Sequence, residues 1–180
     1  MHGIPCSKRI LHEGDIIELD LGIKWQGLHT DMAVTVGVGR IDAKAEKLLK
    51  ATKEALNRGI MAARQGNYIG DIGFAIQSYA EAQGFTVVRE LVGHGVGYFI
   101  HENPEVPNWG RPGTGLKLEQ GLVIALEPMV CEGSNEIVLD RNSWTWKTRD
   151  HSRSAHFEHT IVILETGAEI LTTINSIQLK

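Results

Sequence analysis

The chain has 180 residues, of which 42% are apolar and 22% are charged, with a formal net charge of −4 and a pI near 6.1. This length and composition predict a single globular domain over residues 1–180, exclude a disordered chain, and argue against nucleic acid as the main partner. The sequence has two cysteines without CxxC spacing, no signal peptide and no membrane-spanning apolar run, which together favour a reducing, cytoplasmic setting.

The first predicted element is a β-hairpin. Residues 15–22 and 28–37 are rich in Ile, Val, Leu and Thr and flank Trp25-Gln26-Gly27, so we place the turn near positions 25 and 26. In that register Asp20 lies directly opposite Asp31. Like charges that face each other destabilise a sheet, so this pair indicates either a bound cation or a different register.

Two helices are predicted after the hairpin. Apolar and small residues at helical spacing run from Ala45 to Ile60, and Asp42 is well placed to cap the N-terminus. A second helix over about 70–83 ends before Gly84, which is typical of the position after a helix C-cap. Strands are expected at 85–89, 121–127, 134–139, 144–147 and 155–164. The pattern predicts an α+β protein with a largely antiparallel sheet.

The rest of the chain is organised around the stretch from Leu91 to Gly110. Within it, His94 and His101 lie among glycines at 93, 95 and 97, a run too irregular for one helical face and too glycine-rich for a packed strand. We therefore predict a shaped loop that presents imidazoles, with more loop from 103 to 115. Two solvated histidines on a surface loop are the less favoured alternative, because four carboxylates elsewhere occupy strand-like surroundings.

Two of those carboxylates belong to apolar runs: Glu127 ends one run and Glu158 lies inside another. A carboxylate in a core strand is costly unless it is paired, hydrogen-bonded or bound to a metal. A structural ion pair would explain either glutamate alone. For both together with Asp20, Asp31 and His94, we favour a shared site in which two bridging carboxylates help to hold two divalent ions. Structural zinc is the weaker hypothesis, because it prefers thiolates or more histidines.

Six short motifs match one family in order and spacing. They are His2-Gly-Ile-Pro, Asp20 with Asp31 eleven residues later, Gly93-His-Gly, His101-Glu-x-Pro-x-Val-Pro-x-Trp-Gly-Arg-Pro-Gly, Glu127-Pro-Met and Phe157-Glu158-His. Together they resemble the type I methionine aminopeptidases, which have the pita-bread metallopeptidase fold. The resemblance extends from His2 to about Thr173. Members of that family carry a further N-terminal region before the first motif, and we expect this chain to lack it.

The resemblance implies a fold and a metal site. The implied fold is an α+β, pita-bread arrangement with a curved, largely antiparallel sheet and helices on its outer face. Asp31 and Glu158 would bridge two divalent ions, Asp20 would complete the coordination of one ion, and His94 with Glu127 that of the other. The expected metals are cobalt, manganese or iron, with zinc as an alternative.

The resemblance also implies catalytic residues. His101 matches the histidine that contacts the substrate near the scissile carbonyl, where it can stabilise an oxyanion. His2 matches the histidine near the scissile amide, and Glu127 is placed to shuttle protons as well as to bind metal. Trp144 corresponds to a residue that lines the methionine pocket.

Two positions in the expected substrate-binding set depart from the family pattern. Ile100 stands before His101 where an aromatic residue is common, which softens the pocket wall. His156 stands two residues before Glu158 where a glutamine is expected, and it adds a titratable group beside the metals.

Two kinds of function follow from these features. The first is a metalloaminopeptidase that removes N-terminal methionine from nascent polypeptides, with peptide N-termini as substrates and the ribosome as a candidate partner. The alternatives are an inactive or binding-only pita-bread protein and an X-Pro aminopeptidase or prolidase-like enzyme. We expect no membrane association. We expect this chain either to associate with another copy or to need a separate N-terminal piece, because the missing N-terminal region would leave apolar surface beside the hairpin exposed.

Overall fold

The computed structural model describes residues 1–173, which form twelve strands and two helices. In chain order they are β1 (Ile16–Trp25), β2 (Leu28–Gly37), α1 (Ala43–Ala62), α2 (Ile69–Ala82), β3 (Thr86–Val87), β4 (Gly93–Gly95), β5 (Glu102–Val106), β6 (Val123–Leu126), β7 (Met129–Cys131), β8 (Ile137–Leu139), β9 (Trp146–Thr148), β10 (Ser154–His156), β11 (His159–Leu164) and β12 (Gly167–Ile170). Every strand pairing in this part of the chain is antiparallel. The predicted α+β class is confirmed.

The hairpin of β1 and β2 forms as predicted, but its register differs. The turn residues are Gln26 (φ 49°) and Gly27 (φ 90°), and a two-residue turn with positive φ at both positions matches the twist of a hairpin. Asp31 therefore pairs with Gly22, and the prediction that Asp20 lies directly opposite Asp31 is wrong. The turn is one residue later than expected, which makes the two aspartates diagonal neighbours on the same face.

The predicted loop around His94 contains a central strand instead. β4 lies in a five-stranded sheet of order β12-β11-β6-β4-β5, with β6 on one side and β5 on the other. A Cβ atom at Gly93 would lie 2.3 Å from the carbonyl oxygen of Ala125, and one at Gly95 would lie 2.1 Å from that of Asn103. The glycines are needed because neighbouring backbones approach β4 too closely for a side chain. The loop predicted over 103–115 is also corrected, since its first residues belong to β5.

The strand predicted over 155–164 is divided in two. β10 pairs with β7 in a three-stranded sheet of order β10-β7-β3, whereas β11 pairs with β6 in the five-stranded sheet. Glu158 was expected inside a strand, but it lies in the gap between β10 and β11. β6 and β7 are separated at the same level by Glu127-Pro128, and a proline has no N–H to donate to a strand partner.

Both helices form where the sequence predicts them. Asp42 caps α1 by accepting a hydrogen bond from the backbone N–H of Ala45 at 2.9 Å, and Gly84 (φ 85°) follows the C-cap of α2. α1 packs against strands of both larger sheets and against α2. The shared core includes Leu48, Leu56, Ile72, Ile76, Ile124, Leu126, Ile161 and Ile163. Within residues 1–173, neither helix combines the length and the apolar character that crossing a membrane requires.

Candidate metal centre

Two glutamates face each other where neighbouring strands are interrupted. The interruption consists of Glu127-Pro128 between β6 and β7 and of Phe157-Glu158 between β10 and β11. The strand register is the same before and after this interruption, because His156 pairs with Met129 and His159 pairs with Leu126. Glu158 therefore faces Glu127. The two residues are only 2% and 5% exposed, respectively.

β2 runs beside the interruption and brings Asp31 to it. The backbone N–H of Glu158 donates to the carbonyl oxygen of Ala33 at 2.8 Å. The Thr160 hydroxyl accepts from the N–H of Asp31 and donates to its carbonyl oxygen, both at 2.8 Å. Because Asp20 is a diagonal neighbour of Asp31, the same face of the hairpin presents both aspartates to the glutamates.

β4 contributes His94, which pairs with Ala125 of β6. The Nδ1 atom of His94 lies 2.9 Å from the carbonyl oxygen of Gly95. A carbonyl oxygen can only accept, so Nδ1 is the donor, and in the neutral ring Nε2 then offers a lone pair. That Nε2 atom lies 3.7 Å from Oε1 of Glu127 and 4.0 Å from Oδ2 of Asp31. This orientation suits an imidazole that ligates a metal through Nε2.

The predicted ligands form two overlapping sets. One set consists of Asp20, Asp31 and Glu158, and the other of His94, Glu127 and Glu158; within each set the ligand atoms lie within 4.8 Å of one another. Glu158 is common to both sets. All five side chains that the sequence nominated as ligands are therefore brought together by four separate segments of the chain.

The electrostatics of this cluster favour a cation. Burial raises the pKa of Glu158, and the nearby Glu127 carboxylate raises it further. Burial likewise raises the pKa of Asp31, with Asp20 as the next contributor. Oδ1 of Asp31 is buried and lacks a hydrogen-bond partner among the described residues. Carboxylate oxygens with one imidazole are a donor set that divalent ions accept, and such ions would satisfy both the excess charge and the orphaned oxygen.

Two further histidines lie beside the cluster. The His101 ring is exposed and contacts the His94 ring edge to face, with centroids 4.4 Å apart. Nδ1 of His2 lies 3.7 Å from Oδ2 of Asp20. Each ring is thus next to a different predicted ligand and can be reached from solvent, as a substrate-contacting group requires.

The two predicted wall residues differ in their surroundings. Ile100 packs over Gly22: a Cβ added to Gly22 would lie 2.9 Å from Cδ1 of Ile100 and 3.6 Å from Oδ1 of Asp31. It therefore borders the cluster. Trp144 belongs to the turn between β8 and β9 and is 62% exposed, so its ring is not enclosed as part of a pocket wall.

His156 was nominated as a substrate-contacting residue, and the structure buries it between two carboxylates. Its Nδ1 atom lies 2.9 Å from Oε1 of Glu18, and its Nε2 atom lies 3.5 Å from Oε2 of Glu127. Burial alone would lower the pKa of His156, but the Glu127 and Glu18 carboxylates on either side of the ring outweigh it and raise the pKa to about 10. Burial would raise the pKa of Glu18, yet its hydrogen bond to His156 lowers it to about 2.

Sequence reasoning missed several residues that position the ligands. Thr160 bonds the backbone of Asp31, and the Asn108 side chain donates to the carbonyl oxygen of Glu127 at 3.0 Å. No sequence pattern marks these two contacts, because they join distant segments. Glu18 did have a signal: it lies two residues before Asp20, and residues at that spacing share one face of a strand.

Comparison with known proteins finds a matching family model and similar sequences. Residues 1–165 match the model of metallopeptidase family M24. A methionine aminopeptidase of Clostridium acetobutylicum is 49% identical over 172 residues, which cover 96% of this chain and 69% of that protein. The matched part of this relative is thus about two thirds of its length.

Solved structures agree with the sequence comparison. A crystal structure of methionine aminopeptidase from Thermotoga maritima has a TM-score of 0.94 and 47% identity, over 96% of this chain and 70% of that chain. Prolidase from Pyrococcus furiosus has a TM-score of 0.75 at 24% identity, over 93% of this chain and 44% of that chain. The second likeness concerns the fold alone.

Proposed function

Because this chain belongs to metallopeptidase family M24, we propose that it is the catalytic part of a methionine aminopeptidase, which removes the N-terminal methionine from new polypeptides. The relatives at 49% and 47% identity confirm the predicted family and class of enzyme, and the TM-score of 0.94 confirms the predicted fold. The observation that best supports the proposal is the pair of overlapping ligand sets centred on Glu158.

In this proposal the ligand sets hold two divalent ions. Asp31 and Glu158 would serve both ions, Asp20 would complete the ligands of one, and His94 with Glu127 would complete those of the other. Bound ions would supply Lewis acidity and a water molecule of lowered pKa. Cobalt, manganese or iron suits a set dominated by carboxylates, and zinc stays the weaker alternative because the set has one histidine and no thiolate.

The protein groups around the ions have separate tasks. His101 lies on the solvent side of His94, where its N–H can donate to the scissile carbonyl oxygen as negative charge develops there. His2, beside Asp20, is in reach of the scissile amide of a substrate bound at the cluster. Glu127 can pass a proton through its carboxylate to the leaving amine. Ile100 would border the substrate, and Trp144 would line the methionine side chain only if the turn that carries it closes over the site.

We also propose where the protein works. Its substrates are peptide or nascent-chain N-termini, and the ribosome is a candidate partner in the cytoplasm. Both cysteines are free thiols in the described chain, which agrees with a reducing compartment. Residues 1–180 act as one catalytic domain, which is supported by the single large core that the helices and both larger sheets share.

The alternative functions are less favoured. A binding-only protein would need none of the five ligand side chains, yet all five lie together. An X-Pro aminopeptidase or prolidase would share the metal site, but prolidase from Pyrococcus furiosus is only 24% identical to this chain. Identity of 49% to a methionine aminopeptidase favours the methionine-specific reaction.

Peptide hydrolysis tests the proposal. The chain is freed of metal, loaded in turn with Mn²⁺, Co²⁺ or Fe²⁺, and offered Met-Ala-Ser and an X-Pro peptide. We expect free methionine from Met-Ala-Ser with at least one metal and no release from the X-Pro peptide. The Glu158→Gln variant is the matched control for contaminating peptidases. Preferential cleavage of the X-Pro peptide, or no cleavage with any metal, would contradict the proposal.

A further inference from the structure

We propose that His156 and Glu18 form a positioning pair that orients the carboxylate of Glu127 within the metal centre. The inference rests on the proposed function and adds a role for two residues outside the ligand sets. Here Glu18 holds His156, and His156 in turn holds Glu127. In this role neither residue coordinates the two proposed ions, although Glu18 also lies with His2 and Asp20 in a further group whose potential ligand atoms are within 4.8 Å of one another.

The contacts of the His156 ring define the pair. Nδ1 lies 2.9 Å from Oε1 of Glu18, and Nε2 lies 3.5 Å from Oε2 of Glu127. Nδ1 is hydrogen-bonded to Glu18, whereas Nε2 is buried without a hydrogen-bond partner among the described residues and faces the Glu127 carboxylate at ion-pair distance. The side chain is 1% exposed, which leaves these carboxylates with little competition from water for the two ring nitrogens.

The backbone of His156 is fixed independently of its ring. The Thr35 hydroxyl donates to the carbonyl oxygen of His156 at 2.7 Å and accepts from its N–H at 2.9 Å. The main chain of Glu127 is held in turn by Asn108, which donates to its carbonyl oxygen at 3.0 Å. With both backbones anchored, the freedom that remains between them is the side-chain orientation of Glu127.

The two oxygens of Glu127 point to different partners. Oε1 lies 3.7 Å from Nε2 of His94, whereas Oε2 faces His156. The contact with His156 therefore directs Oε1 toward the set of His94, Glu127 and Glu158. The orientation of the Glu127 carboxylate affects only one of the two ligand sets, because the set of Asp20, Asp31 and Glu158 does not include Glu127.

The His156 ring has a carboxylate on each side. Glu18 lies 2.9 Å from Nδ1 and Glu127 lies 3.5 Å from Nε2, so the contact with Glu18 fixes the ring plane in which Nε2 meets Glu127.

Titration of the 180-residue chain with Mn²⁺ tests the role of this pair. Calorimetry measures the affinity of each ion, and electron paramagnetic resonance distinguishes single from paired ions. In His156→Leu we expect the affinity of one ion to fall about 10- to 100-fold, which is typical when a partner behind a ligand is lost, while the other changes little. His156→Gln keeps one N–H donor and should recover most of the loss. Glu18→Gln should weaken the same ion, and adding it to His156→Leu should cause no further loss.

His159→Gln is the matched control. That histidine also adjoins Glu158 in sequence, but its ring is hydrogen-bonded to Thr172 and pairs with no carboxylate among residues 1–173, so Mn²⁺ affinity should be unchanged. Equal loss of both ions in His156→Leu, or unchanged affinity in His156→Leu or Glu18→Gln, would overturn the pair. If His156→Leu does not fold, as judged by circular dichroism, Glu18→Gln decides alone. Wild-type protein that binds no Mn²⁺ would instead overturn the proposed function along with this inference.

Discussion

Replacing Gly93 by alanine tests how tightly β4 is held between its neighbours. The added Cβ would lie 2.3 Å from the carbonyl oxygen of Ala125 in β6 and 3.3 Å from that of Val106 in β5. Carbon–oxygen contacts in proteins are usually about 3.3 Å or longer, so the closer contact falls short by about 1 Å. Both oxygens belong to the backbone, and no side-chain rotation can relieve the overlap.

The expected cost follows from that shortfall. Overpacking in a rigid core costs about 1–3 kcal/mol, and a backbone clash in a central strand belongs near the top of this range. For about 3 kcal/mol in a domain of this size, the midpoint of thermal unfolding should fall by roughly 6–12 °C. The same shift would displace the adjacent His94 by more than the roughly 0.5 Å that a preorganised site tolerates, so Mn²⁺ affinity should also fall.

Gly97→Ala is the control for this prediction. A Cβ at Gly97 would lie 3.4 Å from Oε2 of Glu102, which is the end of a half-buried but flexible side chain rather than backbone. Its free energy of unfolding, obtained from thermal unfolding followed by circular dichroism, should therefore stay within about 0.5 kcal/mol of that of wild type. Equal midpoints for the Gly93 and Gly97 variants would refute the argument that close backbone approach requires glycine in β4.

The shared ligands, the substrate-facing groups and the exposed hairpin face make three further tests. Asp31→Asn and Glu158→Gln should each lose both ions in elemental analysis of Mn-loaded protein, because each residue is shared; retention of one ion would contradict that. His101→Ala should lower turnover on the order of a hundred- to a thousandfold with unchanged metal content, whereas Glu127→Ala should lower both turnover and metal content. Loss of metal in the His101 variant would show that His101 is a ligand. Light scattering over a concentration series should show self-association of wild type and less in Leu21→Lys, since Leu21 lies on an apolar face that is exposed; a wild-type monomer would refute this.

Elements with one strong local signal were predicted within a few residues. Asp42 marks the start of α1 and Gly84 the end of α2, because capping depends on the few residues at the helix terminus. The five metal-ligand candidates were also identified from the sequence, since carboxylates in apolar runs conflict with burial unless something compensates them. Family motifs then separated these five from the other acidic residues.

Features that depend on contacts between distant segments were harder to predict. The hairpin register depends on whether the turn begins at Trp25 or Gln26, and the preference of this turn type for glycine at its second position is the signal that could have decided it. β4 was predicted as a loop because glycine disfavours strands, whereas close approach of β5 and β6 reverses that preference. The contact between Glu18 and His156 joins residues 138 positions apart.

The interruption in the strands explains where the buried carboxylates repel one another and why the same place can bind cations. In a continuous antiparallel pair, Glu127 and Glu158 would be like charges at facing positions, which destabilises a sheet, and burial increases that cost. Pro128 ends regular pairing beside Glu127, so the strands are already parted at the level where the charges meet. Asp31 and Asp20 bring further negative charge to the same place. A fold that concentrates carboxylates where its strands are interrupted would be stabilised by cations there, so the electrostatic cost of gathering these charges would add to the affinity for the divalent ions that a metallopeptidase uses.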